Sequence, residues 1–100
     1  MIRHIVAFKL KPFPTPKEKL RAVGLVKAEL LGLANKIDVI RSFEVGEDVT
    51  GGPASYDLVI NSTFDSPEDL ETYRVHPGHQ AFILFNKDYS IDRVMVDYEF

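Results

Sequence analysis

Ile2-Arg3-His4-Ile5-Val6-Ala7-Phe8-Lys9-Leu10 alternates without a break. Ile2, His4, Val6, Phe8 and Leu10 fall on one parity, and Arg3, Ile5, Ala7 and Lys9 on the other. A period of two, carried by β-branched and aromatic residues, predicts a strand. Ile5 and Ala7 keep the second parity from being wholly polar, so both faces of this strand call for cover. Lys11-Pro12-Phe13-Pro14 ends it, since proline has no N–H to give to a ladder.

Beyond the strand, Thr15-Pro16-Lys17-Glu18 is a helix start: Thr15 caps, Pro16 suits the first helical position, and Glu18 completes a capping box. The helix runs to about Asn35, with Leu20, Val23, Val26, Leu30 and Leu33 at helical spacing as its inner face. Gly24 inside it costs about 1 kcal/mol relative to alanine, which implies close packing there. The charges at Lys17, Glu18, Lys19 and Arg21 read as its solvated face. Val39–Glu47 and Tyr56–Phe64 alternate again, and the Gly51-Gly52-Pro53 turn between them joins them as a hairpin. Ser66-Pro67 caps a second helix with Leu70 and Tyr73 inward. Pro77-Gly78 breaks it, and His79–Phe85 continues as a short helix carrying Phe82. Ile91–Phe100 closes the chain as a strand.

The order β-α-β-β-α-β predicts an α+β, ferredoxin-like fold over residues 1–100 as one domain: a four-stranded antiparallel sheet with helices on one face. Helices on one face leave the second apolar parity bare, and a large exposed apolar patch marks an interface. A symmetric homodimer through the sheet faces resolves this.

Composition narrows the function. Twelve Lys and Arg against fifteen Asp and Glu give a net charge of −3, with no basic cluster for nucleic acid. There is no cysteine, hence no disulfide, thiolate nucleophile or Cys-based zinc site. No leader-like opening and no run of ~20 apolar residues appear, so a cytoplasmic protein without membrane association is expected. Gly51-Gly52 lacks the surroundings of a phosphate loop.

Functional side chains crowd into Tyr73-Arg74-Val75-His76-Pro77-Gly78-His79. Histidine titrates near neutrality and serves as a general base; a tyrosine hydroxyl holds an oxyanion. Two readings stand side by side. In one, Pro77 and Gly78 shape a turn and the imidazoles satisfy nearby carbonyls. In the other, His79 and Tyr73 do acid–base work, with His4 pointing into the same space and Asp57 or Asp97 orienting an imidazole. His76 and His79 have no third ligand at metal spacing, so neither metal nor cofactor is expected.

These residues resemble the stress-responsive α/β-barrel (Dabb) family. The resemblance is carried by the opening strand, Phe43-Glu44-Val45-Gly46, Tyr56-Asp57-Leu58-Val59, Thr63-Phe64-Asp65-Ser66, Leu70 through His79, and Val96-Asp97-Tyr98. It implies a dimeric α/β barrel of two ferredoxin-like protomers. Plant polyketide cyclases of the olivetolic-acid type share Tyr73, His76, Pro77 and His79 of a Tyr-x-x-His-Pro-x-His pattern. By that likeness His79 is the base and Tyr73 its partner, and His4, His76, Leu58 and Phe82 border the ligand. The likeness departs where Leu58 or Asp57 replaces a pocket histidine and where the first helix lacks a tyrosine. Two principal functions follow: a dimer binding a small apolar ligand, or a cofactor-independent cyclase or lyase acting on a polyketide-like carbonyl. A small-molecule monooxygenase is the third.

Overall fold

In a computed structural model describing residues 1–100, the alternating stretch becomes β1 (Ile2–Leu10), an inner strand of a four-stranded sheet. It is followed by α1 (Pro16–Ala34), β2 (Ser42–Glu47), β3 (Leu58–Phe64), α2 (Pro67–Val75), α3 (Pro77–Asn86) and β4 (Ser90–Glu99). The sheet order is β2-β3-β1-β4, with every neighbouring pair antiparallel. This is the ferredoxin-like arrangement. No helix is long and apolar enough to cross a membrane.

All helices lie on one face. Ile2, His4, Val6, Phe8 and Leu10 are buried beneath them, together with Leu58, Ile60, Ser62 and Phe64 of β3. The opposite face is bare. The register sets Val59, Ala7 and Val94 in one row and Asn61, Ile5 and Val96 in the next. Val94, Val96 and Tyr98 are accordingly exposed.

Several local expectations are corrected. The buried stripe of α1 is Ala22, Val23, Val26, Leu30 and Leu33, while Leu20 is 70% exposed. At ~100° per residue Leu20 lies roughly 110° from the centre of that stripe, so it turns to solvent. Gly24 lies roughly 150° from the same centre. A Cβ added there meets nothing within 4 Å, so close packing is not its reason. Only half of the capping box forms: Thr15 Oγ1 accepts from Glu18 N at 3.2 Å. Lys19 is not merely solvated, since its Nζ lies 2.9 Å from Asp57 Oδ1.

The strand β2 starts at Ser42 rather than Val39, because Ile40 N–H turns back to the Ile37 carbonyl. Likewise β3 starts at Leu58 rather than Tyr56; Asp57 donates its N–H to the Phe8 carbonyl and its carboxylate accepts from Leu10 N–H at 2.7 Å. That carboxylate serves the end of the inner strand β1 and the Lys19 ammonium, and orients no imidazole.

Candidate functional site

The helices cover the sheet unevenly. The first helix, α1, packs on the β2 side and against α3, while α2 reaches β3 and α3, and β4 is left open along its length. The result is a cleft of about 690 Å³ between α2–α3 and the helix side of β1 and β4. Val6, Phe8, Ile60 and Phe82 form an apolar floor, where Phe82 meets Phe8 edge-on at 5.9 Å between ring centroids. The rim is charged: Glu71, Arg74, Lys87, Asp92 and Arg93.

The break between α2 and α3 builds the end of the cleft that holds His79 and Tyr73. His76 ends one helix and caps the next, its Nδ1 accepting from Gly78 N–H at 2.9 Å. In an unbroken helix that N–H would go to the Arg74 carbonyl, four residues back. The Arg74 carbonyl is freed, and it accepts instead from His79 Nδ1 at 2.9 Å and Gln80 Nε2 at 3.0 Å. A carbonyl can only accept, so the His79 proton sits on Nδ1 and Nε2 keeps its lone pair. Burial holds the His79 pKa below its ordinary 6.5; the Arg74 bond opposes this, and the charges of His4, Arg93 and Arg74 add smaller downward pushes. His79 is therefore a neutral base at pH 7.

Tyr73 lies against it, ring centroids 4.6 Å apart. Its ring is buried, wedged also against Phe64 at 5.2 Å and His4 at 5.8 Å. No buried side-chain oxygen in the protein is without a partner, and no protein group bonds the Tyr73 hydroxyl, so that hydroxyl opens on the cleft. Burial pushes its pKa up to about 12, which keeps it a hydrogen-bond donor. Behind it, His4 Nδ1 pairs with Asp97 Oδ1 across the β1–β4 ladder, where the two residues are direct partners.

The structure thus gathers His79, Tyr73, His4 and Phe82 around one cleft. It does not bring His76 or Leu58 there. His76 is committed to capping, and Leu58 is 2% exposed within the hydrophobic core. Sequence reasoning missed the Arg74 carbonyl, whose role follows only from the helix break, and the cations Lys87 and Arg93. The parity of β4 carried the signal for Arg93: it shares a side with Asp97 and stands opposite Phe8.

The family model for the stress responsive A/B barrel domain matches residues 2–100. An uncharacterised protein of Streptomyces coelicolor is 34% identical over 100% of both chains. The stress-response A/B barrel domain-containing protein HS1 of Arabidopsis thaliana is 31% identical over 98% of this chain and 88% of its own. Among solved structures, a dimeric protein of unknown function with a ferredoxin-like fold from Bacteroides fragilis superposes with TM-score 0.86 at 35% identity, covering 99% of this chain and 95% of its own. A hydroxynitrile lyase from Passiflora edulis, at 22% identity and TM-score 0.77 over 97% of this chain and 90% of its own, shares the fold.

Proposed function

Since the chain belongs to the stress responsive A/B barrel domain family, we propose that its cleft is a cofactor-independent acid–base site for a small carbonyl compound, one site in each protomer of a homodimer. The observation that carries this reading is the packing of two rings on one cleft: His79, whose Nε2 lone pair is free, against Tyr73, whose protonated hydroxyl has no partner in the protein. A carbonyl oxygen bonded to Tyr73 O–H presents its α-carbon to the imidazole. The C–H bond breaks, the proton goes to Nε2, and the electron pair moves onto the oxygen as an enolate held by the phenol. Reprotonation returns the carbonyl compound; attack of the enolate carbon on a second carbonyl makes an aldol bond, and the reverse step is a lyase reaction. His4, fixed by Asp97, packs Tyr73 from behind and holds the ring in place. The apolar floor suits the carbon skeleton of the substrate. Dimeric relatives of the same fold and the apolar helix-free sheet face support the assembly.

The test needs no knowledge of the physiological substrate. A panel of ketones and 1,3-dicarbonyl compounds is incubated in D2O, and α-hydrogen exchange is followed by proton NMR. Exchange above the buffer rate is expected for part of the panel, falling about 10²–10⁴-fold in His79→Ala and in Tyr73→Phe. Exchange that is unchanged in both variants, or absent for the whole panel, leaves a binding cleft without catalysis and refutes the acid–base reading.

A further inference from the structure

Arg93 stands directly opposite Phe8 in the β1–β4 ladder, on the helix side of the sheet, and lines the cleft. Its charge is close enough to act on His79. Three carboxylates share the cleft with it, yet none pairs with its guanidinium. Asp97 is taken by His4. Glu71 is held bidentately by Arg74, at 2.7 and 2.6 Å. Asp92 accepts from the Tyr56 hydroxyl with one oxygen and from the backbone N–H of Arg93, at 2.8 Å, with the other. Lys87, the other cation of the rim, also takes no part in any of the protein's ion pairs.

We propose that the cleft takes an oxo acid: a carbonyl compound with a carboxylate tail that Arg93 binds, Lys87 being the second cation of the same rim, while the carbonyl reaches Tyr73. This assignment rests on the acid–base reading of Tyr73 and His79 and adds the substrate class. The planar fork of a guanidinium matches a carboxylate with two parallel N–H···O bonds. A single negative charge fits better than two, because Asp92 and Asp97 line the same cleft and repel a dianionic phosphate. The apolar floor between the two ends fits a short hydrocarbon spacer.

The test compares 5-oxohexanoate with the neutral ketone 2-hexanone by NMR titration of the dimeric wild-type protein. The oxo acid is expected to bind on the order of 10-fold more tightly, as one charge-assisted contact would give. Arg93→Gln should erase that preference, read as the ratio of the two affinities in the same variant; because Arg93 is exposed, the variant should keep its circular dichroism. Arg93→Lys should restore part of the preference, as a point charge without the fork. Equal or tighter binding of the neutral ketone, a preference that survives Arg93→Gln, or saturation by neither probe overturns the proposal. The two readings fail separately. Preference without α-hydrogen exchange would remove the acid–base chemistry alone, and exchange on neutral ketones without preference would remove the oxo acid alone.

Discussion

Burial acts on Tyr73 and His79 with one physical cause and two opposite chemical results. Desolvation disfavours whichever form is charged, so it raises the phenol and lowers the imidazole. Both side chains are thereby kept neutral over a wider pH range than either would be in water, which is the state the proposed donor and base need. The acid limb of α-hydrogen exchange is expected below the ordinary histidine value of 6.5, and the alkaline limb above the ordinary tyrosine value of 10. A pH–rate profile checks both; an acid limb at or above 6.5 would show that His79 is not the titrating base. Stability moves in the same sense. Below pH 6.5 the unfolded chain takes up the His79 proton first, and that residue's contribution is lost as pH falls through its lowered folded value. Above pH 10 the unfolded chain gives up the Tyr73 proton first, so stability declines as pH rises toward about 12. At this scale the sequence drew attention to the break, because Tyr, His, Pro and Gly there are chemically distinctive, and Tyr73 and His79 of that stretch line the cleft. The likeness set His79 to acid–base work and His76 at the ligand's border; that His76 caps α3 instead depends on backbone angles at the break, which the sequence does not show.

At the scale of the elements, the helix starts were legible because their signals are local. Ser66 caps α2 by accepting from Asp69 N–H at 3.2 Å, and Thr15 caps α1 in the same way. The inner face of α1 was less legible: leucine occurs all round that helix, at Leu20, Leu25 and Leu31 as well as at Leu30 and Leu33. Periodicity alone could not tell which of them the sheet would cover. The same uncertainty gave Gly24 a packing role it does not have. Gly24 sits in open space on the solvent side of α1, without a positive φ. Gly24→Ala is therefore expected to stabilise the protein by about 1 kcal/mol, seen as a rise in Tm of several degrees in thermal melts. A fall in Tm would mean that this face of α1 meets something in solution. Gly46 is the opposite case, since a Cβ there would come 3.0 Å from Val59 Cγ1.

For the whole molecule, the two faces of the sheet carry different work. The apolar stripe of Ile5, Ala7, Val59, Val94, Val96 and Tyr98 runs across three strands on the face without helices. Val96 is 61% exposed in the protomer, so the protomer's own fold does not depend on it. Val96→Asp should turn the dimer into a monomer in sedimentation velocity while preserving the circular dichroism spectrum. A dimer that persists through this change would place the interface elsewhere. The two-sided apolarity of β1 was plain in the sequence, because alternation is a property of the strand itself. The cleft was not, because it arises from what the helices leave uncovered beside β4. Its charged members come from α2, from Lys87 just past α3, and from β4, which meet only in the folded chain.

His4 and Ile5 are neighbours in the chain and belong to opposite worlds: one looks into the cleft, the other onto the bare sheet. Every residue of β1 is in this way assigned to one task or the other by its parity alone. A single residue inserted ahead of His4 would exchange the two sets beyond it, sending Ile5 to the cleft side and the imidazole toward the apolar stripe. The cleft and the bare apolar face are therefore specified together along this strand, and no frame change alters one without the other.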